Sequence, residues 1–168
     1  TLPESITGIG ERAFSGCSSL TGITLPGSVT DIGDGAFDGC VCLADADGFV
    51  IFRGFLFGYT GSGGDVVIPD GVTNIGDSAF SECSGLTNIT LPNGVTNIGN
   101  RVFSLCSSLT SIKLPHGVTD IGEYAFCGCS SLTSITLPES VTGIGFSAFS
   151  GCSSLAGITL PAGLTSIG

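Results

Sequence analysis

Eight cysteines, one histidine and a pair of closely spaced aspartates are the residues here whose types could support chemistry. Six cysteines (Cys17, Cys40, Cys83, Cys106, Cys129 and Cys152) fall at one recurring position, and Cys42 and Cys127 each lie two residues from a member of that series. A ladder of thiols suggests disulfides, but in a parallel stack successive Cβ atoms lie about 5 Å apart, and a disulfide needs about 3.8 Å. A zinc site would require the Cys-x-Cys pairs Cys40/Cys42 and Cys127/Cys129 to meet, and they stand several repeats apart. The ladder is therefore expected to consist of small buried thiols. Cys127 takes a position otherwise held by Ser or Asp and is expected at the surface. Asp45-Ala-Asp47-Gly48 resembles part of a calcium loop, but that loop also needs an acid at position 43 and Glu at 54, where this chain has Leu43 and Gly54. His116 occupies a position filled elsewhere by Glu4, Gly27, Asp70, Asn93, Glu139 and Ala162, which marks a solvated turn. No nucleophile, base and orienting group assemble around it. No catalytic residue, cofactor or metal is expected.

The elements that carry these residues repeat every 23 positions. Copies begin at Leu2, Leu25, Ile68, Leu91, Leu114, Leu137 and Leu160, each followed by Pro. A period of this length marks a solenoid in which each turn touches only its neighbours. Such a fold presents surfaces more than pockets, and so favours binding over catalysis. Apolar residues recur at the positions of Ile6, Ile9, Ala13, Phe14, Cys17, Leu20 and Ile23, with Leu25 opening the next turn. The Phe position (Phe14, Phe37, Phe80, Phe103, Phe126, Phe149) predicts one ring per turn stacked into a spine. Leu20-x-x-Ile23-x-Leu25 predicts a parallel strand with Thr24 facing outward, ended by Pro26. The spacing over Glu11–Gly16 predicts a short helical turn on the opposite side. A Gly at the position of Gly10 in all seven copies predicts a left-handed turn, whereas the Gly16 position also holds Glu82 and Leu105 and is read as needing no Gly.

The run from Leu137-Pro138 to Ile158 resembles the consensus of the BspA-like, or Treponema pallidum type, leucine-rich repeats, LP-x-x-V-T-x-I-G-x-x-A-F-x-G-C-x-S-L-T-x-I, with Ala156 in place of a Thr. The likeness extends over nearly the whole chain apart from residues 44–66. It implies an α/β repeat solenoid: a right-handed leucine-rich-repeat coil with parallel strands and short helical turns. It also implies a bacterial, secreted or surface-attached setting (extracellular, cell-surface or periplasmic), and in several members adhesion to host matrix or to other cells.

The register breaks once, because Leu25 to Ile68 spans one regular unit and one shortened by three residues. Two β-prone runs flank Arg53-Gly54 and predict a hairpin within an irregular unit at about 44–66. It concentrates Phe49, Phe52, Arg53, Phe55, Phe57 and Tyr59, residue types that dominate interface hot spots. Two readings stay open: the solenoid covers one hairpin face and leaves rings exposed for a partner, or all five rings extend the core, which would favour a spacer. A secondary candidate surface is the outward strand row through Thr90, Lys113 and Thr136.

A net charge of −10 with only four basic residues argues against nucleic acid. No apolar run reaches the roughly 18 residues of a membrane span. Residues 1–168 are expected to form one solenoid domain, cut within the repeat register at both ends, whose open edges would permit a homodimer. The expected function is non-enzymatic binding of a protein partner, host matrix protein included, in adhesion; the alternative is a structural spacer or scaffold within a larger protein.

Overall fold

The computed structural model describes residues 2–33 and 35–168. Among them the chain forms strands β1 (Gly8–Ile9), β2 (Asp31–Ile32), β3 (Phe49–Phe52), β4 (Phe55–Tyr59), β5 (Gly64–Val67), β6 (Asn74–Ile75) and β7 (Leu86–Thr90). They are followed by β8 (Asn97–Ile98), β9 (Ser111–Lys113), β10 (Asp120–Ile121), β11 (Ser134–Thr136), β12 (Gly143–Ile144) and β13 (Ser166–Ile167). The turns stack into a parallel solenoid, and among the described residues the strands form three sheets. One is four-stranded, in the order β11-β9-β7-β5. A second, β13-β12-β10-β8-β6-β4-β3, is formed by the second extended slot of the later turns and ends in the hairpin, and the third pairs β1 with β2, the same slot of the first two turns. The L-x-x-L-x-L strand is present at β7, β9 and β11, but Leu20–Leu25 of the first turn forms no ladder.

The expected helical turns are absent. Among the described residues the only helix is a 3-10 turn at Val41–Leu43, so the architecture is β rather than α/β. The reason lies in the backbone. At the positions of Arg12 and Gly16 the chain turns left-handed in turn after turn: Arg12 φ 52, Gly16 φ 74, Ser78 φ 59, Glu82 φ 64, Arg101 φ 55, Leu105 φ 61. A right-handed helix cannot run through two such residues. The freed amides cross to the next turn instead, as Phe103 to the Ala125 carbonyl (2.8 Å) and Leu105 to the Cys127 carbonyl (2.7 Å). This also corrects the reading of the Gly16 position. Glu82 and Leu105 adopt there a conformation that costs an L-residue about 1–2 kcal/mol.

The Gly10 position has a different reason from the one its recurrence suggests. Its members are not left-handed among the described residues. A side chain would strike the backbone of the preceding turn: a Cβ on Gly33 would lie 2.5 Å from the Glu11 nitrogen, and one on Gly122 2.5 Å from the Gly99 oxygen. Glycine is required here by contact between turns.

Phe rings stack as the spacing predicts. Centroids are 5.3 Å apart for Phe14–Phe37, 5.5 Å for Phe80–Phe103, 5.3 Å for Phe103–Phe126 and 5.4 Å for Phe126–Phe149. Between Phe37 and Phe80 the hairpin intervenes, and it divides the interior in two. Phe49, Ile51, Leu56 and Tyr59 join the core of the later turns. Val50, Phe52, Phe55 and Phe57 join the core of the first two turns. The alternation of a strand thus serves both faces, because the hairpin is inserted in line with the stack. The expectation that the solenoid covers one face is corrected accordingly. The hairpin's antiparallel register shifts between Val50 and Ile51, which lets Tyr59 change sides.

β4 pairs with β6, but β3 has no ladder to β2. Arg53, in the hairpin turn, spans that gap. Its Nη1 donates to the Val29 carbonyl, and its Nη2 to the Pro26 carbonyl at 2.7 Å. Arg53→Ala is expected to weaken the attachment of the first two turns by about 1–2 kcal/mol. Amide exchange at Phe14 and Thr30 should then quicken roughly 5- to 30-fold, with Phe103 and Phe126 unchanged. Phe103→Ala removes a fully buried ring and should cost about 3–5 kcal/mol in urea unfolding.

Candidate functional site

The residues with hot-spot chemistry are not free to form a site as a group. Phe49 and Phe57 are buried, and Phe52, Phe55 and Tyr59 are half-buried. Their rings contact the spine and one another: Phe37–Phe52 at 4.8 Å, Phe55–Phe57 at 4.4 Å, Phe49–Tyr59 at 5.2 Å and Tyr59–Phe80 at 5.1 Å. Arg53 is exposed, but its guanidinium is engaged with Val29 and Pro26. Only the outer parts of Phe52, Phe55 and Tyr59 remain for a partner.

The strand row is open. Thr90, Lys113 and Thr136 are exposed on β7, β9 and β11, and β5 adds Val67 in register with Thr90. Val67 is 66% exposed, high for a Val. Beside this row run Asp65, Asn88, Ser111 and Ser134, also in register. Asp65 accepts hydrogen bonds from Asn88 Nδ2 (2.7 Å) and Thr87 Oγ1 (2.9 Å). These bonds, Asn88's foremost, hold its carboxyl below the usual carboxylate range. The hairpin and the row meet in a cleft of ≈ 360 Å³ lined by Asp47, Phe49, Tyr59, Asp65, Val67 and Pro69. An extended partner laid across the four-stranded sheet would run into this cleft, where an aromatic wall faces fixed negative charge.

Other candidates resolve into structural roles. Asp45 Oδ1 accepts the amides of Asp47 (3.0 Å) and Phe49 (2.9 Å), which closes the turn before the hairpin. The seven-membered Thr row (Thr7 to Thr165) is exposed, and its backbones bond from turn to turn, as Thr142 to Thr119 at 2.8 Å. His116 is exposed. The cysteines are free. Four of the six ladder thiols donate to the carbonyl of the Phe one turn back: Cys40 to Phe14 (3.1 Å), Cys106 to Phe80 (3.1 Å), Cys129 to Phe103 (3.0 Å) and Cys152 to Phe126 (3.1 Å). Cys127 is half-buried and Cys42 exposed.

Sequence reasoning missed one exposed group, on the turn side. Arg101 Cζ lies 4.9 Å above the Tyr124 ring, and Tyr124 meets Phe146 edge-on at 5.4 Å. Phe146 is 56% exposed. The signal was available within the repeat: Phe146 stands where other copies carry Glu11, Asp77, Asn100 and Glu123.

Comparisons with known proteins agree with this geometry. The profile of the BspA type leucine rich repeat region matches residues 1–47 and 51–168, in six copies. A leucine-rich cell surface protein of Faecalibacterium prausnitzii superposes with a TM-score of 0.61 at 34% identity, over 94% of this chain and 52% of its own. A leucine-rich repeat protein of Bacteroides ovatus gives 0.59 at 34% identity, over 98% of this chain and 37% of its own. The leucine-rich repeat protein of T. pallidum gives 0.58 at 35% identity, over 96% of this chain and 69% of its own. The chain thus spans about half the length of the first relative and little over a third of the second. Among curated proteins nothing matches.

Burial raises the thiols of Cys40, Cys83, Cys106, Cys129 and Cys152 above their ordinary value of 9.0, with Cys129 pushed up to about 12. The folded chain therefore keeps protons that the unfolded chain releases. Stability from this source is intact below pH 9 and is lost as pH rises through about 12. The melting temperature is expected to fall across that window by roughly 5 °C or more, and the fall should be shallower in Cys129→Ala.

Proposed function

The chain belongs to the BspA-type leucine-rich-repeat family, and from that premise we propose that it is a non-enzymatic protein-binding module of a secreted or surface protein, acting in adhesion to host matrix or to other cells. Leucine-rich repeats are protein-interaction modules. The surface placement is supported by the cell-surface description of the F. prausnitzii relative. No helix among the described residues is long and apolar enough to cross a membrane.

The observation that carries the reading is the open four-stranded face, Val67, Thr90, Lys113 and Thr136, which leads into the cleft beside Tyr59 and Asp65. Exposed strands with alternating side chains and a terminal pocket suit an extended protein segment or a loop. An acidic chain with fixed carboxylates at the cleft favours a partner of positive charge. The packing of the hairpin rings into both cores favours the second reading, a structural spacer.

Binding to immobilised fibronectin and fibrinogen at physiological salt separates the two. The adhesion reading expects saturable binding in the micromolar range, weakened roughly tenfold or more in Val67→Lys/Thr90→Lys, which sets positive charge against a positive partner. Both positions are exposed, so circular dichroism should show the variant folded. Absence of binding up to roughly 50 µM would leave the spacer reading.

A further inference from the structure

The four-stranded face carries two clefts of opposite charge. The first, at the β5 edge, holds Asp47, Tyr59, Asp65 and Val67, and no basic residue lines it. Asn88 Nδ2 and Thr87 Oγ1 both donate to Asp65 Oδ1. They fix the carboxylate and leave Oδ2 without a donor among the described residues. The half-buried Tyr59 ring stands in the same cleft. A fixed carboxylate beside an aromatic ring suits a guanidinium, which pairs with the one and stacks on the other.

The second cleft, ≈ 180 Å³, is lined by Leu91, Asn93, Lys113, Leu114, Pro115 and His116. It brings together the chain's one Lys and one His, and no acid lines it. Asn93, Lys113 and His116 are exposed. Neither basic side chain is in an ion pair or a side-chain hydrogen bond among the described residues. Glu139 occupies the position of His116 one turn on, but the two form no ion pair. Cationic donors above the buried Leu91 and Leu114 suit a carboxylate carried on an aliphatic stem.

The separation of the two clefts sets the form of the ligand. Val67, Thr90 and Lys113 lie side by side on β5, β7 and β9, so the clefts stand two strand spacings apart, about 10 Å. β7 is paired on both sides, to β5 and to β9. A segment crossing this face is therefore held by its side chains, without backbone pairing. Along a β-strand, side chains of one face recur at about 7 Å and about 13 Å. Along a polyproline helix, residues three apart share a face at about 9 Å, and the backbone needs no partner. The second spacing matches.

We infer that the four-stranded face binds a polyproline-type segment of its partner that carries Arg at one position and Glu or Asp three residues away. The Arg enters the Tyr59–Asp65 cleft, and the carboxylate enters the Lys113–His116 cleft. This assignment rests on the binding role proposed above for the same face and gives that role a ligand class.

The test is an NMR titration of the isotope-labelled chain with two capped octapeptides of equal composition. One is Pro-Pro-Arg-Pro-Pro-Glu-Pro-Pro; the other sets Arg and Glu adjacent, as Pro-Pro-Pro-Arg-Glu-Pro-Pro-Pro. The spaced peptide should move the Asp65, Val67, Thr90 and Lys113 amides saturably, with a Kd on the order of 1 mM, and the adjacent one should bind roughly tenfold more weakly. In Lys113→Glu, an exposed position, the spaced peptide should lose about tenfold, and Pro-Pro-Arg-Pro-Pro-Arg-Pro-Pro should bind better than it. Equal binding of the first two peptides, no saturable movement at those amides by roughly 5 mM, or a folded Lys113→Glu that binds as wild type overturns the proposal. If that variant fails to fold, the comparison of the two peptides on the wild-type chain decides alone. Matrix binding that Val67→Lys/Thr90→Lys weakens, with both peptides bound alike, would overturn this ligand class and leave the adhesion reading standing. Preference for the spaced peptide without matrix binding would do the reverse.

Discussion

Backbone lies directly on backbone along this solenoid, at the spacing of a single hydrogen bond, and most of the repeat follows from that contact. It forbids a side chain at Gly33, Gly99, Gly122 and Gly145, where a Cβ would sit between 2.5 and 2.9 Å from atoms of the turn before. It draws the amides of the turn segment outward to the next turn, and so prevents a helix that the local spacing would otherwise allow. It also sets the Phe rings between 5.3 and 5.5 Å apart, within the range for offset stacking. Thiols filling the adjacent slot gain a carbonyl acceptor from the same translation.

The hairpin is the one unit that departs from this rule, and its departure explains the division of the interior. A strand pair has two faces with alternating side chains, so placing it in line exposes each face to a different half of the solenoid. Phe57 continues the first core and Tyr59 begins the second. Continuity of the apolar interior is preserved while continuity of the ladder is not. Arg53 compensates by reaching back to two carbonyls of the second turn. An Arg among aromatics reads, by composition, as a binding hot spot; its geometry here is that of a tie between segments.

Two surfaces differ in character as a result. The four-stranded face is regular, polar and open, with its geometry dictated by the repeat. The turn side is irregular only where the hairpin stands in the stack, joined to the next turn by the Tyr59 amide on the Ala79 carbonyl. Regular surfaces on a solenoid are defined by what the repeat places outward, and irregular ones by what interrupts it.

The period, the parallel stacking, the Phe spine and the buried thiols of Cys40, Cys106 and Cys129 were legible in the sequence, because the chain compares each position with itself in several copies; Cys17, of the same series, is exposed, and Cys83 and Cys152 are half-buried. The location of the hairpin was legible too, since the break in register marks it. Three features were not. The reason for the recurrent Gly, the left-handed residues that replace a helix, and the two-sided burial of the hairpin all depend on contacts between turns. Spacing along one turn carries no information about the distance to the next. Phe49 and Phe52 look alike as letters, and only the tertiary structure sends one into the later core and the other towards the first two turns. The sequence by itself determined the repeat and its core, because periodic burial is written in residue type. The tertiary structure decided which surfaces stay open, because exposure depends on where the irregular unit lands between its neighbours.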